Sequence, residues 1–124
     1  MIERVLIVDD EEDVRAILQL GLEAVTDWTV LTAASGEEAL AIAAHHPLDV
    51  ILLDWIMPAM DGRTTLQHLK ANLLTQSIPV ILMTAEFQSS TQENFVGLDV
   101  AAIFAKPFRP LQLAAQITDV LGKS

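Results

Sequence analysis

Cysteine is absent from this 124-residue chain. That excludes disulfides and thiolate chemistry and weakly favours a reducing compartment. No stretch reaches the roughly 18 consecutive apolar residues needed to cross a bilayer. The opening Met1-Ile2-Glu3-Arg4-Val5 enters a strand-like run at once, without the regions of a secretion signal. Basic residues are scarce: seven Lys and Arg stand against seventeen Asp and Glu, for a formal charge of −10. Such a chain lacks the cationic face that nonspecific nucleic-acid binding requires. It fits a soluble, cytoplasmic protein that associates with other proteins and inserts into no membrane. Phosphate-binding glycine loops are missing too. No Gly-x-Gly-x-x-Gly follows a strand, and no Gly-Lys-Ser/Thr loop occurs, so dinucleotide binding and nucleotide hydrolysis are unsupported. Linkers, repeats and low-complexity segments are also lacking, and a single domain over residues 1–124 is expected.

What the chain does have is alternation. Strand-like apolar runs over residues 4–8, 29–33, 50–53, 78–83 and 101–105 are separated by segments of helical periodicity. This alternation predicts an α/β fold, a parallel sheet with helices on both faces. The first helix carries an apolar stripe of Val14, Ile17, Leu18, Leu22 and Val25. Ser35 and Glu38 form a capping box at the start of the second, which runs to about His46 before Pro47. A third helix spans about residues 63–73, with Leu66, Leu69 and Leu73 on one side. A fourth, marginal helix is expected within residues 86–100, started by Ser90-Thr91-Gln92-Glu93 and weakened by Gly97. The last follows Pro110, a residue suited to a first helical turn.

The ends of the runs carry the chemistry. The first ends in Asp9-Asp10, the third in Asp54, the fourth in Thr84-Ala85 and the fifth in Lys106-Pro107. Ligands of an open parallel sheet bind outside the carboxyl ends of its strands, so three carboxylates, a hydroxyl and an ammonium should converge there. Clustered carboxylates repel each other unless a cation joins them, and Mg²⁺ prefers oxygen ligands. Asp10 and Asp54 suit direct contact, Asp9 contact through water, and a backbone carbonyl near Ile56 a further oxygen. The competing reading of Asp9 or Asp10 is a plain helix cap. Asp54 is the best nucleophile, because carboxylates form aspartyl-phosphate intermediates. Lys106 and Thr84 would each take one oxygen of the transferring group, with small Ala85 admitting a backbone N–H. Pro107 fixes the chain direction after Lys106, through a cis bond if it adopts one. His45-His46 are expected to close the second helix and His68 to lie on an exposed face. Trp28 is read as a packing residue, and Trp55 as a reporter beside Asp54.

These residues resemble the receiver domain of bacterial two-component response regulators, in its single-domain, chemotaxis-type form. The likeness rests on Asp9-Asp10, on Asp54 within Asp-x-x-Met-Pro-x-Met-Asp-Gly, on Thr84-Ala85 and on Lys106-Pro107-Phe108, and covers nearly the whole chain. It implies a flavodoxin-like doubly wound five-stranded parallel sheet, order 2-1-3-4-5, with five flanking helices. It also implies that Asp54 accepts a phosphoryl group from a histidine kinase or histidine phosphotransfer protein, with helix one and its neighbouring loops meeting that donor. The output would be phosphorylation-dependent contact with a downstream protein. Asp9 and Asp10 match the metal-binding acidic pair, Thr84 the switch hydroxyl and Lys106 the phosphate-contacting lysine. Dimerisation on phosphorylation is compatible with the resemblance and is read from no particular residue. One position departs from the pattern: many receivers carry Tyr or Phe three residues before the lysine, where this chain has Ile103. Phe104 beside it should face the other side of the strand, so signal transmission through that ring is expected to be altered. Ile56 and Glu86 resemble positions that tune dephosphorylation. A purely structural interaction module on the same fold is the alternative. A Mg²⁺-dependent phosphohydrolase is disfavoured, because Ile56 stands where such enzymes need a second acid.

Overall fold

Short strands built almost wholly of Val, Ile, Leu and Met can hide both faces only between two helical layers. The computed structural model, which describes residues 2–57, 60–84, 97–106 and 109–122, has that arrangement. In chain order the elements are β1 (Arg4–Val8), α1 (Glu12–Val25), β2 (Thr29–Ala33), α2 (Gly36–His45), β3 (Val50–Asp54), α3 (Gly62–Ala71), β4 (Val80–Thr84), β5 (Ala102–Ala105) and α4 (Pro110–Leu121). The strands pair in parallel in the order β2-β1-β3-β4-β5, as the resemblance implied. The central strands β3 and β4 are buried along their whole length.

Alternation along each strand divides the core in two. Leu6, Val8, Ile51, Leu53 and Leu82 point to the layer of α2 and α3, meeting Ala39, Ala43, Leu66 and Leu69. Val5, Ile7, Leu52, Ile81 and Met83 point to α1 and α4, meeting Leu18, Leu22, Leu113 and Ile117. The helices α1 and α4 touch closely because residue 21 is glycine: a Cβ there would lie 2.6 Å from the Pro110 side chain. Ile103 packs against the first cluster and Phe104 against the second, on opposite faces of β5 as expected. Trp28 packs against the second cluster, His45 and His46 end α2, and His68 is exposed.

Several expectations need correction. The apolar stripe of α1 is narrower than its sequence suggests, since Ile17 and Val25 are about half exposed (52% and 51%). The third helix stops at Ala71, and Leu73 is 84% exposed. Asn72 leaves the helical region, and its side-chain oxygen accepts the Leu74 N–H at 2.9 Å, so a turn replaces the last helical residues. Strand β4 begins at Val80 rather than residue 78, after Pro79, which has no N–H for a ladder. Four helices occur among the described residues. Ala85, Glu86, the Ser90-to-Glu93 capping box and Pro107 lie outside them, and so does most of the expected fourth helix. The described part of that segment is not helical: Gly97 takes a left-handed φ of 82°, and Leu98–Val100 run on to β5.

Candidate functional site

Parallel register brings the carboxyl ends of four strands to one edge. Val8 lies level with Leu53, Asp54 with Met83 and Thr84 with Ala105. Asp9 therefore emerges beside Asp54, and Lys106 beside Thr84, whose carbonyl accepts the Lys106 N–H at 2.8 Å. Asp9, Asp54 and Thr84 are buried (0%, 4% and 2% exposed), while Asp10 is exposed.

The side chains form a compact charge cluster. Lys106 Nζ stands 3.1 Å from Asp9 Oδ2 and 3.4 Å from Asp54 Oδ1. Oxygens of Asp9, Asp10 and Asp54 all lie within 4.8 Å of one another. Three carboxylates against one ammonium leave the cluster net negative, and two of them are cut off from water. Burial, and after it the charge of Asp9, pushes the Asp54 carboxyl up from 3.8 to about 6, against the opposing pull of Lys106 and of the Ile56 N–H. Burial also works to lower the Lys106 ammonium, but its hydrogen bond to Asp9 and the charge of Asp54 outweigh that and hold it above its usual range. A divalent cation fits this donor set, because it would supply the missing positive charge among hard oxygen ligands.

The backbone is arranged around the same groups. Asp54 Oδ1 accepts the Ile56 N–H at 3.3 Å, while the Ile56 side chain itself is 65% exposed. Asp9 Oδ1 accepts the Glu11 N–H at 2.9 Å. The cap reading of Asp9 is thus half right: Glu11 is the N-cap residue of α1 and makes no side-chain cap bond, and Asp9 satisfies the adjoining N–H while its other oxygen meets Lys106. After Asp54, Asp61 caps α3 by accepting the Thr64 N–H at 2.8 Å, which holds its carboxyl below the usual carboxylate range. Gly62 is needed for closure of that loop, because a Cβ there would come within 2.6 Å of the Asp54 carbonyl and 2.7 Å of Trp55 Cα.

Sequence reasoning missed two residues. Arg15 donates through a guanidinium nitrogen to the Asp9 carbonyl at 2.8 Å, pinning the β1–α1 turn. Its position, one turn into the helix after an acidic pair, was the available signal. Arg63 lies 5.1 Å from the Trp55 ring centroid, bridging the loop after Asp54.

Residues 5–118 match the response regulator receiver domain family. The chain is 39% identical over 120 residues to the probable transcriptional regulator ycf27 of Cyanidium caldarium, covering 95% of this chain and 46% of that protein. It is 34% identical over 122 residues to the phosphate regulon transcriptional regulatory protein PhoB of Pseudomonas aeruginosa, covering 97% and 52%. The chain thus spans about half the length of these curated relatives. Among solved structures, chemotaxis protein CheY4 of Vibrio cholerae superposes with a TM-score of 0.87 at 28% identity, covering 97% of this chain and 99% of that one. The sheet order, the five strand-end residues and these similarities agree, and the chain belongs to the response regulator receiver domain family.

Proposed function

We propose that this chain is the phosphoacceptor of a two-component relay, taking a phosphoryl group onto Asp54 from a phosphohistidine donor. The observation that carries the reading is Asp54 itself: a buried carboxylate at the end of β3, 3.4 Å from an ammonium and grouped with two further carboxylates. In the transfer, an Asp54 carboxylate oxygen attacks phosphorus and the phosphorus–nitrogen bond to the donor imidazole breaks. The bonding pair returns to that nitrogen. Asp54 must be ionised to attack, which its value of about 6 permits at neutral pH. Lys106 turns from the carboxylates toward a phosphoryl oxygen, and the Thr84 hydroxyl donates to another; catalysis is positioning plus charge. Asp10 and Asp54 would hold Mg²⁺ directly, with Asp9 through water and the Ile56 carbonyl as a further oxygen. When bound, the ion neutralises charge on the transferring group.

Hydrolysis of the acyl phosphate resets the domain, with exposed Ile56 at the mouth of the site. The donor is a histidine kinase or histidine phosphotransfer protein in the cytoplasm, and the output is a phosphorylation-dependent protein contact. Two relatives are named as transcriptional regulators. For this domain, at a charge of −10, we propose a transcriptional output through protein contacts, not through its own contact with nucleic acid. No described helix is long and apolar enough to cross a membrane.

The test is tryptophan fluorescence, since Trp55 adjoins Asp54. A saturable response to Mg²⁺, followed by a response to acetyl phosphate that Asp54→Asn lacks, is expected. Silence to both, with no mass increase, would turn the reading to a structural interaction module.

A further inference from the structure

Every polar group of Asp9 is engaged. Its N–H donates to the Ala33 carbonyl at 3.1 Å, and its Oδ1 accepts the Glu11 N–H at 2.9 Å. Its Oδ2 lies 3.1 Å from Lys106 Nζ, and its carbonyl accepts an N–H of the Arg15 guanidinium at 2.8 Å. Asp10 is the opposite case. It is exposed, and among the described residues no hydrogen bond or ion pair holds its carboxylate, which still reaches within 4.8 Å of oxygens of Asp9 and Asp54. Asp10 is therefore aimed by its backbone.

That backbone is gripped on both sides. A peptide unit is planar, so the direction of the Asp9 carbonyl fixes the plane that joins Asp9 to Asp10. Arg15 holds that carbonyl. The Glu11 N–H lies in the next plane, joining Asp10 to Glu11, and Asp9 Oδ1 holds it. With both planes set, φ and ψ of Asp10 are set, and so is the direction of its Cα–Cβ bond. Arg15 can reach back because helical side chains lean toward the N-terminus. Its own N–H donates to the Glu11 carbonyl at 3.1 Å, so the guanidinium is carried on the first turn of α1.

Charge alone would not place a guanidinium here. A fixed cation beside an acidic cluster opposes the entry of another cation. Mg²⁺, however, demands near-ideal octahedral geometry, so a turned Asp9–Asp10 plane would misdirect a ligand. The charge of Arg15 and its geometry thus act on Mg²⁺ with opposite signs.

We propose that Arg15 is a positioning residue for the metal site: by holding the Asp9 carbonyl it aims the Asp10 carboxylate at Mg²⁺, and this aim outweighs its repulsion of the ion. The inference rests on the Mg²⁺-dependent phosphoacceptor reading and adds a residue that touches neither the ion nor the phosphoryl group.

Titrating the tryptophan emission of the full chain with Mg²⁺ at fixed ionic strength tests it. Arg15→Met should raise the Mg²⁺ dissociation constant about 10-fold or more, the usual cost of losing a residue that orients a metal ligand, with unchanged circular dichroism. Arg15→Lys, which keeps a charged donor, should recover part of the loss. Saturating Mg²⁺ should restore phosphoryl incorporation from acetyl phosphate in Arg15→Met to the unmodified rate. Where Arg15→Met does not fold, Arg15→Gln decides, since it gives up the charge and keeps a donor on a shorter stem. By charge alone it would bind Mg²⁺ more tightly; by reach it should bind more weakly. An equal or lower dissociation constant in the variant, or a rate that stays low at saturating Mg²⁺, would overturn this inference alone. A flat titration of the unmodified chain would overturn the metal site and this inference together.

Discussion

Asp49 and Asp54 stand at opposite ends of the same strand, and the chain treats them in opposite ways. Asp49, just before β3, accepts the Glu3 N–H at 2.7 Å and the Arg4 N–H at 2.9 Å through one oxygen, tying the start of β1 to its neighbour. Asp54, at the other end, has one backbone N–H at 3.3 Å and a shared ammonium at 3.4 Å, and a second buried carboxylate beside it. The first carboxylate is matched by its surroundings and serves folding. The second is under-matched and is raised to about 6, in keeping with the acceptor role proposed for it. On that reading, one sheet separates stability and reactivity between its two edges.

The comparison can be broken most strongly at Lys106. Lys106→Met leaves two buried carboxylates without their cation, and in a metal chelator at pH 7 it should cost about 3 kcal/mol of unfolding free energy. Lowering the pH or adding Mg²⁺ should recover most of that loss; urea titrations would measure both.

Asp54→Asn should act in the opposite direction. The folded Asp54 carboxyl titrates near 6 and the unfolded one near 3.8, so the folded state holds the extra proton between those values. That contribution is complete below about pH 4 and is lost as pH rises through about 6. With chelator at pH 7, Asp54→Asn should therefore be more stable than the unmodified chain by about 2–3 kcal/mol, at 1.36 kcal/mol per unit. The gap should close as pH falls to 4. A variant less stable than the unmodified chain at pH 7 would contradict the strained-site account.

Asp49→Ala sharpens the contrast from the other edge. Losing two charge-assisted bonds should cost about 2 kcal/mol, yet phosphoryl incorporation in the folded protein should be unchanged. The smallest effect is expected at Arg63. Arg63→Ala removes the cation over Trp55, worth about 0.5–1 kcal/mol, and should shift the Trp55 emission with little change in the urea midpoint.

Much of this was legible in the sequence because parallel strands covered on both faces must be apolar throughout, and such runs stand out. Their ends named Asp9, Asp54, Thr84 and Lys106, since strand direction decides which edge a terminal residue reaches. The errors have a common cause. Apolar periodicity extended the third helix to Leu73 and widened the stripe of α1 to Ile17 and Val25, because the pattern records chemical type and not coverage. The end of α3 was set by one polar side chain, Asn72, competing for a backbone N–H. The grip of Arg15 on the Asp9 carbonyl is local, six residues along the chain, and its signal was overlooked. The clamp of Asp49 on the start of β1 depends on how distant backbone segments meet, and leaves no local signature.

The central claim is that Asp54 takes the phosphoryl group. After treatment with acetyl phosphate and Mg²⁺, borohydride reduction converts an aspartyl phosphate to homoserine, which peptide mass mapping then locates. Homoserine at position 54 alone is the predicted result. Homoserine at position 9 or 10, or at no position despite intact folding, would contradict it.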